Sequence, residues 1–448
     1  MSEVFQDFLI PTLTQIRHSI CGIDDSYNNF WDILAELIQN AVDAINRTDP
    51  AVQGKIYLHI DCIQKEISIR DNGCGIAPEK LVTFLRPFST DKLDDENQIG
   101  EKGVGLKFAY FQSTYFKIHT GNASGSAQAE IRDARLWKLQ TNQECLAVSY
   151  ERYSEPFCGT EIVLRGIENE QLFSLSISQM KHILRTKTAA GNTSVIWREI
   201  SPIKITLEMT DYNGNHTEED IQYKYSLPTN TLSVRDQISL DDFEEWLRGG
   251  DRTDLEKRTK LRDKVITAKG SYLHNGYREI RYWACFVPSR SIWDQLCIKE
   301  GLATDSLLSN EEWLNEKIFV LHRPGIYTAV KGMPTGITVE HPSAGYSGYW
   351  SNIFIIFEDD RLSFDIGRKS IHGLTANIYK GYAKEIFNRF LQYIVKYVSG
   401  SVEPYSAEWN KEGLIDEIKS LPDLGIRQCR KIWQESQRSR GIRCCYIL

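Results

Sequence analysis

The spacing of apolar residues changes several times along the first third of the chain. From Phe30 to Arg47 they return every three or four positions, through Leu34, Ile38, Ala41 and Ile45. That period predicts an amphipathic helix. From Lys55 to Asp61 and again from Glu66 to Arg70 they alternate with polar residues, which predicts two strands. Residues 71–105 are dense in glycine and turn signals, with a short helix expected near Glu79–Phe84. Lys107–Gln112 reads as a helix start. Further strands are predicted at Tyr115–His119, Gln128–Leu139, Cys145–Tyr150 and Thr160–Leu164. The pattern is α+β, with helices over a mostly antiparallel sheet.

The second half is patterned less sharply. A helix is predicted over Ser178–Thr188, and strands at Ile203–Met209 and Ile221–Tyr225. Ser239–Val265 is highly charged and reads as an exposed helical connector. Strands follow near Glu279–Val287, Lys317–Leu321, Ile326–Val330 and Asn352–Phe357, then a long helix from Ala376 to about Val398. The expected division is an N-terminal domain over 1–235 with its motif core at 31–165, a connector at 236–265, a second domain at 266–400 and a tail at 401–448.

Composition narrows the class. The chain has 448 residues, 41% hydrophobic and 25% charged, enough to bury a large core. A formal charge of −7 exerts no global pull toward nucleic acid or anionic lipid. No apolar run approaches the roughly 18 residues of a membrane helix, and the N-terminus lacks the pattern of a signal peptide. Ten cysteines without CxxC spacing suggest neither a zinc site nor a disulfide framework. A cytoplasmic location is the expectation.

Four short elements carry chemistry. In Glu36-Leu-Ile-Gln-Asn40-Ala-Val-Asp43-Ala, helical geometry puts Glu36, Asn40, Asp43 and Arg47 within roughly 60° of one another, opposite Leu34, Ile38, Ala41 and Ile45. One face packs on a core and the other presents a carboxylate, an amide and a second carboxylate. In Ile67-Ser-Ile-Arg-Asp71-Asn-Gly73-Cys-Gly75-Ile, a strand runs into a glycine turn. An Asp at a strand end accepts from an exocyclic amine such as adenine's, and glycines after it let a flat base approach the backbone. In Gly100-Glu-Lys102-Gly103-Val104-Gly105-Leu-Lys107, a glycine-rich turn opens a helix, an arrangement suited to phosphates. A dinucleotide fold is disfavoured, because these glycines follow a long polar loop rather than the first strand of a βαβ unit. Last, Gly159-Thr160 enters a strand, where a hydroxyl can hold a water against a base.

Order and spacing make the set specific. Together the four elements resemble the GHKL ATPase superfamily, which includes gyrase B subunits, HSP90-type chaperones, MutL, MORC proteins and histidine kinases. The resemblance covers about Trp31–Leu164. It implies an ATP-binding α/β sandwich with Mg²⁺ as cofactor. Asn40 would bind Mg²⁺ and Glu36 would act as general base toward the attacking water. Asp71 would contact the adenine amine, with Gly73, Gly75 and Thr160 nearby. Gly100, Lys102, Gly103, Val104 and Gly105 would form the phosphate loop. Asp43 would be structural. Lys107 would touch a phosphate or, equally, face solvent at the helix start. The polar loop from Arg86 to Ile99 corresponds to the family's ATP lid.

The same resemblance implies a transducer-like domain with a βαβ core in the second half, supplying a cation to the γ-phosphate. Arg368 or Lys369 is the candidate, with Lys331 as another. The tail is separate: Ile426–Arg443 carries a net charge of +5, and Cys445-Tyr-Ile-Leu fits a prenylation pattern. The tail would then reach a membrane if lipidated, or contact nucleic acid or a partner protein.

The expected function is an ATP-binding, slowly hydrolysing conformational switch. Its N-terminal domains would form a homodimer on nucleotide binding and act on a protein client, in a chaperone-like, chromatin-like or bacterial-defence setting. A non-hydrolysing nucleotide-binding scaffold is the alternative, though retention of Glu36 argues against it. A histidine kinase relative is disfavoured by domain order, since His18 is the only histidine upstream of the first motif.

Overall fold

The computed structural model describes residues 11–87, 105–342, 347–362, 371, 373–394 and 397. Two sheets organise them. The first holds β1 (Lys55–Asp61), β2 (Glu66–Asp71), β3 (Tyr115–Asn122), β4 (Gly125–Arg132), β5 (Val148–Tyr153), β6 (Gly159–Arg165), β7 (Lys204–Thr210) and β8 (His216–Ile221). Their order is β5-β4-β3-β6-β2-β1-β7-β8, with β1 and β7 parallel and every other pair antiparallel.

Strict alternation sets the inner face of this sheet. Ile56, Leu58 and Ile60 point in from β1, and Ile67 and Ile69 from β2. Two helices, Asp32–Asn46 and Gly105–Phe111, belong to the same core. The Asp32–Asn46 helix is covered more fully than its amphipathic pattern predicts. Leu34, Ile38, Ala41 and Ile45 are buried as expected, and Glu36 and Asp43 on the opposite face are buried too. A second layer therefore lies over the face expected to be open.

The second sheet comprises β9 (Gln237–Ser239), β10 (Val265–His274), β11 (Arg278–Phe286), β12 (Gly325–Val330), β13 (Met333–Val339) and β14 (Ile353–Glu358), in the order β13-β12-β14-β11-β10-β9. It is mixed: β12 is parallel to β14 and β9 to β10. Every residue of β14 is buried, as a strand covered on both faces must be. The helix Gly373–Tyr393 contributes Tyr379, Ile386, Phe387 and Phe390 to the core. The charged stretch after β9 forms two helices, Leu240–Arg248 and Asp254–Leu261. It is not wholly exposed: Leu240 and Phe243 are buried, and Arg389 pairs with Glu244 at 2.7 Å.

Polar and aromatic contacts join the halves. The Thr193 and Ser194 hydroxyls donate to the buried carboxylate of Glu358, the latter at 2.8 Å. Gln179 Nε2, in the helix Ile177–Lys187, donates to the Leu302 carbonyl at 2.9 Å. Trp31, just before the Asp32–Asn46 helix, meets Phe319 with ring centroids 5.4 Å apart. Gly336 of β13 packs against the Trp31 indole, and Lys187 lies over the ring at 5.2 Å.

Four predicted strands differ from the structure; the one expected at Cys145–Tyr150 is displaced to Val148–Tyr153. The run Gln128–Leu139 ends as a strand at Arg132; Asp133 takes a left-handed φ of 58° and Ala134–Trp137 forms a short helix. Ile221–Tyr225 is preceded rather than formed by a strand, since β8 ends at Ile221. Lys317–Leu321 is a 3₁₀ turn over Ile318–Val320, continuing the helix Glu311–Lys317. Arg368, Lys369 and the basic tail with Cys445 lie outside the described residues. No helix among the described residues is long and apolar enough to cross a membrane.

Candidate functional site

Asp71 closes the inner face of β2. Register places it opposite Thr160 of β6, and Thr160 opposite Thr120 of β3. Facing residues in antiparallel strands share a side. Asp71, Thr160 and Thr120 thus form a polar row across three strands. The rows behind it, Ile69–Ile162–Ile118 and Ile67–Leu164–Phe116, are apolar. The carboxylate sits where a hydrophobic layer gives way to hydrogen-bonding groups.

Those groups are closely connected. Asp71 Oδ1 accepts from the Gly73 amide at 2.8 Å. The Thr120 and Thr160 hydroxyls are 2.9 Å apart. Thr120 Oγ1 also accepts from the Ile76 amide at 2.9 Å and donates to the Gly159 carbonyl at 3.1 Å. Burial pushes the Asp71 carboxyl up to about 7, a rise only partly offset by the backbone N–H groups of Gly73 and Thr160. An acceptor held in this way gains from a donor that stabilises its charge.

The turn after Asp71 needs glycine at Gly75. Its φ is +63°, and a Cβ there would overlap the Gly121 carbonyl oxygen and come within 2.9 Å of the Gly121 carbon. The turn is tied to the helix above it, because the Cys74 amide donates to the Ala44 carbonyl at 3.1 Å.

The helix also brings Glu36 against the start of the Gly105–Phe111 helix. A Cβ at Gly105 would fall 2.6 Å from the Glu36 carboxyl carbon. Tyr27 Oη donates to Glu36 Oε1 at 3.2 Å, and the Tyr27 ring stacks on Phe108 at 3.9 Å. Glu36 is thereby oriented from two sides. Asn40, one turn further on, is half-buried, whereas Asp43 is only 1% exposed. Lys107 is buried, with Nζ over the Phe84 ring at 4.5 Å, so it does not face solvent.

The structure therefore gathers Asp71, Gly73, Gly75 and Thr160 at one end of the first sheet. It sets Glu36 against Gly105, with Asn40 on the same helix. Gly100, Lys102, Gly103 and Val104 lie outside the described residues. Thr120 was missed by sequence reading; its signal is the strand register, visible only once β3 is aligned with β6. Lys331 sits at the β12–β13 turn with φ 49°, next to Gly332, whose carbonyl accepts from the Thr193 amide at 2.8 Å. The donor set fits a nucleotide with Mg²⁺: an amide and a carboxylate supply hard oxygens, and the polar row offers acceptor and hydroxyl groups to a base edge.

Comparison with known proteins agrees with this chemistry. Residues 27–154 match the family of histidine kinase-, DNA gyrase B- and HSP90-like ATPases. Over this region the chain is similar to the GHKL ATPase superfamily. Among named relatives, it is 28% identical over 308 residues to the chaperone protein HtpG of Vesicomyosocius okutanii, covering 63% of this chain and 44% of that protein. It is 29% identical over 187 residues to an endoplasmin homolog of Arabidopsis thaliana, covering 36% of this chain and 22% of that protein. HtpG of Francisella tularensis is 23% identical over 253 residues, covering 50% and 37%. The chain thus spans less than half the length of these relatives.

Proposed function

We propose that this chain binds ATP with Mg²⁺ and hydrolyses it slowly, as a conformational switch acting on a protein client in a chaperone-like manner. The observation that carries the reading is the seating of Glu36. Its carboxylate is buried, oriented by Tyr27, and pressed against the residue that ends the glycine-rich segment.

Each residue has a task in this reading. Asp71 accepts from the exocyclic amine of adenine, and the Thr160–Thr120 hydroxyl pair holds a water against the ring. Gly73 and Gly75 keep the turn narrow enough for the base to lie on the backbone. Gly105 and the glycines before it offer amides to the phosphates, with Lys102 and Lys107 adding positive charge. Mg²⁺, held through the Asn40 amide oxygen, would gather the phosphates and offset their charge. Glu36 takes the proton from the attacking water.

A cation from the second half, Arg368 or Lys369 or alternatively Lys331, would report the γ-phosphate to the rest of the molecule. Closure on ATP would pair two N-terminal domains, and hydrolysis would release them.

The test is ATP turnover by wild type and Glu36→Ala, with molecular mass followed by light scattering with and without ATP. Slow hydrolysis by wild type is expected. The variant should bind ATP, fail to turn it over and accumulate as a dimer. Binding without hydrolysis by either protein would overturn the enzymatic reading and leave a nucleotide-binding scaffold.

A further inference from the structure

Two histidines and a glutamate meet where the two halves touch. His182 lies in the helix Ile177–Lys187. Glu300 caps the C-terminus of the helix Arg290–Lys299, and His322 follows the 3₁₀ turn Ile318–Val320. Glu300 Oε2 is 3.0 Å from His322 Nε2 and 3.9 Å from His182 Nδ1. One ligand atom from each residue lies within 4.8 Å of the other two. The side chains of His182, Glu300 and His322 are 4%, 13% and 2% exposed.

Burial of this kind needs a reason. Sequestered ring nitrogens normally make a hydrogen bond. Yet His182 Nδ1 and His322 Nε2 are both buried without an aligned partner, despite the nearby carboxylate. The rings cross nearly edge to face, 88° apart with centroids at 4.7 Å. The three donor atoms thus lie close enough together to share one ion, with Glu300 Oε2 and His322 Nε2 already in ion-pair contact.

We propose that His182, Glu300 and His322 bind one divalent transition-metal ion, with Zn²⁺ the best match, and that the ion fastens the first half of the chain to the second. Imidazole nitrogens select Zn²⁺ and its neighbours over Mg²⁺ or Ca²⁺. Ligand bonds of about 2.0–2.2 Å place neighbouring tetrahedral donors roughly 3.3 Å apart. The observed spacings reach that value with shifts of at most about 1.5 Å. Two histidines and a glutamate leave a fourth position for water. With no ligand more than 13% exposed, the ion's role is to hold the structure together rather than to meet a substrate. The Ser226 hydroxyl, which donates to Glu300 Oε2 at 3.4 Å, orients the carboxylate from outside the cluster. Arg185 contributes positive charge near Glu300. The alternative to a metal is a charge network completed by that guanidinium.

The test uses the full chain, stripped with a chelator and titrated with Zn²⁺ against a chromophoric competitor. Wild type should bind one equivalent, and its Tm should rise by several degrees. His182→Gln, His322→Gln and Glu300→Gln should each weaken binding on the order of 100-fold or more, since even outer partners of ligands cost 10–100-fold. Circular dichroism identifies any variant that fails to fold, and the remaining variants carry the test. Co²⁺ substitution should give the visible absorption of a low-coordinate site in wild type alone. No uptake by wild type would overturn the proposal in favour of the charge network. Uptake undiminished in all three variants would overturn it in favour of a site elsewhere on the chain.

Discussion

The carboxylate of Glu36 occupies the space that a side chain at Gly105 would need: a Cβ there would fall 2.6 Å from Glu36 Cδ and 3.2 Å from Cγ. Glycine at this position is a condition for the carboxylate to sit where it does. Gly105→Ala should therefore displace Glu36 from its bond to Tyr27 and lower ATP turnover about 100-fold, the lower end of what a general base contributes. Glu36→Ala should lose at least as much. Steady-state phosphate release checks both, with nucleotide affinity as the control for binding.

Asp71 should make ATP binding pH-dependent. With its carboxyl pushed up to about 7, Asp71 of the nucleotide-free protein is largely protonated at pH 6 and largely ionised at pH 8. Only the ionised form accepts from an exocyclic amine with both oxygens, so affinity should rise from pH 6 to pH 8. Binding should release protons near pH 7, measurable by calorimetry in buffers of different ionisation heat. Asp71→Asn should flatten the profile and lower affinity.

The same residue affects stability with the opposite sign. A carboxyl whose pKa is raised on folding, here from 3.8 to about 7, favours the folded state at low pH. That contribution is lost as pH rises through 7. Asp71→Asn should be more stable than wild type at pH 8 while binding nucleotide less well. Urea titrations at pH 5 and pH 8 measure the difference.

Thr120→Val keeps shape but removes three hydrogen bonds, to the Ile76 amide, the Gly159 carbonyl and the Thr160 hydroxyl. Leaving these partners unmatched at a fully buried position should cost about 1–3 kcal/mol. Denaturant unfolding gives this number. ATP affinity should fall as well, because the row beside Asp71 loses its fixed hydroxyl pair.

Just after β14, Asp359 accepts from Arg278 Nε at 2.8 Å and from Tyr379 Oη at 2.7 Å. Asp359 is 1% exposed. Asp359→Ala strands a largely buried guanidinium and should destabilise the fold by about 3–5 kcal/mol. Combining it with Arg278→Met should recover part of the loss. Thermal unfolding of the two variants checks the coupling.

Much of the first sheet was legible because its strands alternate cleanly. β1 is predicted over Lys55–Asp61 and found there, and β2 differs only by including Asp71. The helix carrying Glu36 was legible from its period. Its second covered face was not, because the pattern marks Glu36 and Asp43 as polar without saying what packs on them. Gln128–Leu139 failed as a single strand because Asp133 takes a left-handed turn that β-rich flanks conceal. Thr120 and the His182–Glu300–His322 cluster share a different obscurity. Their neighbours are distant in sequence and become adjacent only through strand register or helix packing.

Trp31 is held by Phe319, Gly336 and Lys187 just before the helix that carries Glu36. The second half thus has a hand on the root of that helix. A fragment ending after β8 would expose an indole now only 3% accessible and leave the helix anchored at one end. The first sheet and its helices are better pictured as rooted in the second half than as a bead on a string.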